Sequence, residues 1–272
     1  MQNEKIDAGR AFDWGKASAD YAKYRDIYPP AFYQELIRLG LCRKGDRVLD
    51  LGTGTGVLPR HFAGTGVRFV GADVSENQIR EAKRLSAGMD IEYVVSPAEE
   101  LVFADETFDG VTACQCFFYF DAPRVLKNVA RMLRPGGRFA ILYMGWLPDE
   151  DPVALASERL VLRYNPAWTG GGEVRHPIAL PKESERYFTL ENTALFDLQV
   201  PFTRGSWNGR MKACRGIGAS LSQERVEAFG REHLALLRRI APERFTVLHF
   251  AAMAVLKKKP DEEKAPQQPK EF

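Results

Sequence analysis

With 272 residues, the chain is long enough for one generous domain or one domain with an elaborated subdomain. Its 45% hydrophobic and 27% charged residues are those of an ordinary globular protein and exclude fibrous, collagen-like and disordered classes. A net charge of +2, from 38 basic and 36 acidic residues spread along the chain, is too mild for a nucleic-acid footprint, and no run reaches the roughly 18 apolar residues that cross a bilayer. Met1–Arg10 is polar and lacks the apolar core of a signal peptide. The cysteines, Cys42, Cys114, Cys116 and Cys214, are few and without zinc-ligand spacing. Both features point to free thiols in a reducing cytoplasm, with no metal, membrane or nucleic-acid partner.

Residues 10–40 predict two helical pieces broken at Tyr28-Pro29-Pro30, the second carrying Phe32, Leu36, Ile37 and Leu39 near helical spacing. Strand and helix signals then alternate. Strands are expected at 47–51, 68–73, 91–95, 108–116 and 138–144, and helices at 57–63, 76–86 and 123–133. That alternation means a parallel sheet with helices on both faces, whose ligands sit at the carboxyl ends of the strands. From 146 to about 190 the rhythm breaks: a helix at 153–164 is followed by Trp168-Thr169-Gly170-Gly171-Gly172 and a stretch bounded by Pro177 and Pro181. So long an irregular segment reads as a lid or substrate insertion. A strand at 195–203, a helix at 222–240 and a closing apolar strand at 245–256 follow. Ser222 is the N-cap candidate of that helix, with Arg225 where a capping-box acid would stand. The organisation expected is a helical cap (1–40), a cofactor-binding core (41–145), the insertion (146–190), the C-terminal part of the sheet (191–259) and a disordered tail (260–272).

The densest chemistry lies in Asp50-Leu51-Gly52-Thr53-Gly54-Thr55-Gly56. A strand running into alternating glycines and then a helix makes a nucleotide-type cradle, since glycine lets backbone approach a ligand or take positive φ. The spacing is G-x-G-x-G, without the third-glycine offset of a dinucleotide fold or the Lys-Ser/Thr of a phosphate loop. Asp73 follows Gly56 by 17 residues at the tip of the next strand, where a carboxylate can accept both hydroxyls of a ribose.

Four motifs in order carry a resemblance. They are the glycine run, Gly71-Ala72-Asp73-Val74-Ser75, Ala98-Glu99 before Thr107-Phe108-Asp109, and Leu133-Arg134-Pro135-Gly136-Gly137. Together they resemble the class I S-adenosylmethionine-dependent methyltransferases over most of residues 20–145. The segment Ala113-Cys114-Gln115-Cys116-Phe117-Phe118-Tyr119-Phe120-Asp121 is similar to the small-molecule subgroup around trans-aconitate methyltransferase and the ubiquinone/menaquinone-biosynthesis methyltransferases.

The resemblance implies an α/β, Rossmann-like sheet of seven mostly parallel strands with an antiparallel last strand. It implies S-adenosyl-L-methionine as cofactor, S-adenosyl-L-homocysteine as product, a small-molecule acceptor, and a monomer or homodimer. Cofactor contacts are expected from Asp50, Gly52, Thr53, Gly54, Gly56, Asp73, Val74, Ala98, Glu99, Gln115 and Tyr24; Asp50 could instead order its own turn. Pro97 stands where the subgroup often has an adenine-binding Asp, leaving Ser96, Glu99 or backbone to serve. Phe118 and Tyr119 replace a His and a Trp, so a His proton acceptor does not carry over from that segment. His176 and Tyr119 are the candidate catalytic groups, while His249 reads as a core residue. Tyr21, Phe118, Trp146, Trp168, Arg175, Trp207 and Arg210 are the candidate substrate residues, with Arg215 a further candidate for a substrate carboxylate. The activity implied is methyl transfer by in-line displacement, catalysed mainly by positioning and desolvation. The competing readings are a non-catalytic cofactor-binding regulator, a methyltransferase acting on a macromolecule, and a nicotinamide-dependent oxidoreductase.

Overall fold

A computed structural model describes residues 6–9, 12–13, 23–24 and 27–260. The expected tail past 260 and the first half of the expected helical cap, Tyr21 included, lie mostly outside these residues. The elements are α1 (Pro30–Arg38), β1 (Arg47–Leu51), α2 (Val57–His61), β2 (Arg68–Asp73), α3 (Glu76–Leu85), β3 (Ile91–Val95), β4 (Phe108–Cys114), α4 (Ala122–Met132), β5 (Leu133–Trp146), α5 (Pro152–Tyr164), β6 (Phe188–Thr203), α6 (Arg204–Lys212), α7 (Gln223–Ile240) and β7 (Arg244–Lys258).

The strands form one seven-stranded sheet in the order β3-β2-β1-β4-β5-β7-β6. β1 to β5 are parallel, and β7 runs antiparallel between β5 and β6. The chain reverses direction through the sheet between β1 and β4, and a crevice opens at that point above the carboxyl ends of the strands. Strand periodicity sorts the core into two faces. Val48, Ala140 and Leu142 point to the face covered by α1, α6 and α7, where Phe32, Leu36, Trp207 and Phe229 pack. Leu49, Leu51, Phe139 and Ile141 point to the other, against Val125 and Val129 of α4.

β1, β2 and β3 have the expected limits residue for residue, and β5 runs from Leu133 to Trp146 where 138–144 was expected. The C-terminal half departs more. β4 ends at Cys114, so Cys116 lies beyond the strand. β6 begins at Phe188 rather than near 195 because it pairs with β7 along its whole length, from Phe188↔Lys258 to Thr203↔Arg244. Leu198, Val200 and Phe202 alternate as the expected strand requires, but no residue between Phe188 and Leu198 is buried, so only the ladder reveals the first half. α6 was not expected; the Thr203–Ser206 capping box starts it, and its short sequence is poor in apolar residues. Ser222 begins α7 without a side-chain cap bond, as its incomplete box implies.

The region expected as a lid is tied into the core. α5 buries Ala154, Leu160 and Val161, and Trp168 is buried with them. One carboxylate makes the tie: Asp151 Oδ1 accepts the Val153 and Ala154 N–H groups at the start of α5, and Oδ2 accepts the Leu248 N–H of β7 at 2.9 Å. Truncation leaves three N–H groups without their acceptor. Asp151→Ala is expected to lower unfolding stability by about 2–4 kcal/mol, the sum of a lost cap and a stranded donor. Urea denaturation checks this, and a loss under 1 kcal/mol would contradict the tie.

Candidate functional site

Beyond β1 the backbone turns through Gly52, Gly54 and Gly56 at φ of +60, +56 and +76, a region that glycine alone enters without strain. Space makes a second demand. A Cβ on Gly52 would lie 2.8 Å from Cys116 Sγ, and one on Gly56 would lie 2.2 Å from the Tyr93 hydroxyl oxygen. The turn is thus clamped between the end of β4 and Tyr93 of β3.

That close approach brings the β1 turn to β2. Thr53 N–H donates to Ala72 O at 2.9 Å, Gly54 N–H to Asp73 Oδ2 at 2.9 Å, and Ser75 N–H to Asp73 Oδ1 at 2.9 Å. Each carboxylate oxygen of Asp73 accepts one backbone bond and keeps lone pairs for a ligand. Burial raises the Asp73 carboxyl, and the Ser75 and Gly54 bonds hold it down.

A cleft of about 400 Å³ opens over this cradle. Gly52, Gly54, Asp73, Val74, Ala98, Glu99 and Gln115 of the residues nominated from sequence line it. Asp50, Thr53 and Gly56 lie outside its lining, as does Tyr24, which packs its ring on Gly209 of α6, 2.3 Å from where a Cβ would stand. Asp50 is buried and accepts from the Thr112 hydroxyl at 2.7 Å. Burial pushes its carboxyl up to about 6, against the pull of the Thr112 and Thr53 hydroxyls. In the Ala98–Glu100 turn, Glu99 Oε1 accepts the Asp121 N–H at 2.8 Å, which ties the turn to the start of α4. Ser96 Oγ donates to Pro97 O at 3.1 Å.

The same cleft is lined by Phe12 and Asp13, which the sequence reading passed over. Their signal is faint, an aromatic and an acid just ahead of Trp14 with no strand or helix periodicity around them. The contacts of residues 6–13 explain their placement. Asp13 N–H donates to Ala219 O at 2.9 Å. Asp7 accepts from Arg215 Nε at 2.8 Å and from Thr169 N at 2.8 Å. Arg215 Nη1 in turn donates to the Tyr119 hydroxyl at 3.1 Å.

Gln115 closes the cleft floor. Its φ is +65, which costs a non-glycine residue about 1–2 kcal/mol. Bonds from its N–H to Leu142 O and from Nε2 to Met144 O hold it there. Gln115 and Tyr119 also line a second, smaller cleft of about 110 Å³. Phe118, Trp146, Trp168 and Arg210 of the nominated substrate residues line it too, together with Tyr143, Glu173 and Arg215.

Two nominated residues are elsewhere. Trp207 is fully buried in the core and donates to Ser157 Oγ at 2.9 Å, so it walls no pocket. Arg175 forks onto Asp197 through Nε and Nη2, both at 2.7 Å, and also pairs with Glu150, which leaves its guanidinium committed outside the cleft. His249 is buried and lowered to about 3 by burial, a neutral core imidazole. His176 stands behind the second cleft, against Glu173.

The lining chemistry discriminates between ligands. Asp13, Asp73 and Glu99 line the larger cleft, and no Lys or Arg does among the described residues. A pyrophosphate would meet carboxylates there. A ribose diol on Asp73 joined to a cationic group suits the same surface. The residues therefore fit the diol and the cationic group of S-adenosylmethionine.

Residues 49–141 match the family described as Methyltransferase domain. An O-methyltransferase, resE, of Aspergillus sclerotiorum is 42% identical over 104 residues, 36% of this chain and 39% of that protein. The ubiquinone/menaquinone biosynthesis C-methyltransferase UbiE of Desulfotalea psychrophila is 40% identical over 116 residues, covering 39% and 46%. The ubiquinone biosynthesis O-methyltransferase of Rhizobium etli is 32% identical over 157 residues, covering 57% and 62%. The matches thus span from 39% to 62% of these relatives' lengths. Among solved structures, a methyltransferase of Bacillus halodurans superposes with a TM-score of 0.52 at 17% identity, over 85% of this chain and 100% of that one. An N-methyltransferase of Haemonchus contortus does so at 0.51 and 19% identity, over 90% and 58%. At such identities these likenesses concern the fold alone.

Asp50 gives this site a pH signature. Its carboxyl titrates at about 6 in the fold, against roughly 3.9 in an unfolded chain. Its contribution to stability is full below the unfolded value and is lost as the pH rises through the folded one, in all about 3 kcal/mol. Asparagine keeps an acceptor for Thr112 without the buried charge. Asp50→Asn is therefore expected to match wild type near pH 4 and to exceed it by about 1–3 kcal/mol at pH 8. Urea denaturation at both values decides it; an equal difference at both would contradict a buried, raised carboxyl.

Proposed function

We propose, from the premise that the core of this chain is a class I methyltransferase domain, that the protein transfers the methyl group of S-adenosylmethionine to a small-molecule acceptor in the second cleft. The observation that carries the proposal is the shared wall: Gln115 and Tyr119 belong to both clefts, so ligands in the two would meet across them. The sulfonium supplies an activated methyl and a neutral leaving group. The chain's own residues bind and align.

Asp73 accepts the ribose hydroxyls while the Gly54 and Ser75 N–H groups fix its plane. The glycine turn brings backbone against the ligand, and Asp13 and Glu99 hold a negative surface around it. Gln115 sets the passage to the second cleft. Phe12, buried over the first cleft and 5.7 Å from the Tyr119 ring, keeps water out. Alignment of this kind converts a bimolecular displacement into a nearly unimolecular one, worth several kcal/mol of barrier. The narrow second cleft, walled by Tyr143, Trp146 and Trp168, supports an acceptor of small size. No described helix is long and apolar enough to cross a membrane.

Calorimetry with S-adenosylmethionine and with reduced nicotinamide dinucleotide tests the cofactor half. Wild type is expected to bind only the former. Asp73→Asn keeps an acceptor for a backbone N–H but loses the charge, and is expected to weaken binding about 10–100-fold. Unchanged affinity in that variant would defeat the assignment of Asp73. Formation of S-adenosylhomocysteine with a panel of phenols, amines, thiols and carboxylates tests the transfer.

A further inference from the structure

Glu173 stands in the wall of the second cleft and does not line the first. Three groups fix it. The Tyr143 hydroxyl donates to Oε2. Burial and the adjacent Glu173 charge raise the Tyr143 phenol far above its ordinary value, so it remains a donor. His176 Nε2 lies 3.2 Å from Oε1. Gly145 makes the room: a Cβ there would stand 3.0 Å from Glu173 Cγ and 3.2 Å from Tyr143 Cε1.

The imidazole carries a second message. His176 Nδ1 faces Pro177 O at 2.9 Å, and a carbonyl oxygen only accepts, so Nδ1 bears a proton. In the neutral ring Nε2 is then an acceptor, yet it faces a carboxylate oxygen. A proton that arrives on Glu173 can therefore pass across this contact to Nε2. The pair therefore has a place for an exchangeable proton. One end of it lies in the cleft wall, and the other is an imidazole 42% exposed to solvent. Tyr143 and Phe250 hold that ring, each with its centroid 5.3 Å away.

We propose that Glu173, backed by His176, is the proton acceptor for a phenolic hydroxyl that receives the methyl group in the second cleft. This rests on the methyl-transfer function proposed above. The aromatic walls Phe118, Tyr143, Trp146 and Trp168 suit a planar ring. In the step, the phenol O–H proton passes to a Glu173 carboxylate oxygen. An oxygen lone pair forms the bond to the methyl carbon, and the carbon–sulfur bond breaks with its electron pair going to sulfur. The products are the methyl ether, S-adenosylhomocysteine and protonated Glu173, whose proton then leaves to water past His176. Glu173 is thus a catalytic residue and His176 a positioning residue.

The test compares two acceptors, 4-methylphenol, which is protonated at neutral pH, and 4-nitrophenol, which is largely ionised there, in wild type, Glu173→Gln and His176→Gln. Wild type is expected to methylate both. Glu173→Gln is expected to lose about 10²–10⁴-fold in kcat on 4-methylphenol and less than tenfold on 4-nitrophenol, with His176→Gln intermediate on the former. S-adenosylmethionine affinity should be unchanged in both variants. An equal loss on both phenols would mean a merely structural role, and no loss on either would mean no role; each overturns the inference. Turnover of amines, thiols or carboxylates but no phenol overturns it while the methyl-transfer function stands. Absence of turnover with every acceptor removes both.

Discussion

The turn after β1 is the constraint from which the rest of this site follows. Three residues with positive φ in five positions are sterically open only to glycine. Once the turn is made, the end of β4 closes on it through Cys116, whose thiol donates to Leu51 O at 3.1 Å. Tyr93 closes on it from β3, held by Ser86 at 2.8 Å. Gly54 N–H then reaches Asp73 across the gap between β1 and β2. A side chain at Gly52 or Gly56 would force apart the strand ends and would remove the cradle rather than merely reshape it.

The opposite wall is assembled from distant parts of the chain. Trp146 ends β5, Trp168 and Glu173 lie beyond α5, and Arg210 lies in α6 with its guanidinium 4.9 Å over the Trp146 ring. The long antiparallel ladder of β6 on β7 brings them together, since α6 follows directly on β6. Asp151 binds α5 to the same strand β7. The second cleft is therefore supported by sheet rather than by a free loop. Support of this kind holds the walls of a cleft more closely than a loop attachment would.

Charge is buried on both sides of the shared wall. Asp50 lies under the glycines, and the pair Arg215–Asp7 lies beside Tyr119. Removing one partner of a buried pair strands the other and is costly, so such groups are poor choices for stability alone. The pair ties residues 6–9 to Thr169 and to Tyr119, and so couples the chain's first described residues to both clefts.

Local pattern was enough for the parallel half of the sheet, whose strands are short apolar runs bounded by turns and helices. It was also enough for the cradle, because positive φ and the strand-tip acid leave marks in residue type and spacing. The first half of β6 and the whole of α6 left almost none: the former is stabilised by its ladder, and α6 by packing Trp207 into the core. The same holds for the second cleft. From sequence, Trp207 and Arg175 are as plausible as Trp146 and Arg210, and only packing puts the first in the core and the second onto Asp197 and Glu150. No pattern joins Glu173, His176 and Tyr143, since Tyr143 comes from a strand and the other two from the loop that folds back over it. Sequence by itself determined the cofactor cradle, because backbone conformation is encoded locally. The tertiary structure alone decided the second cleft, because contacts between distant residues have no local code.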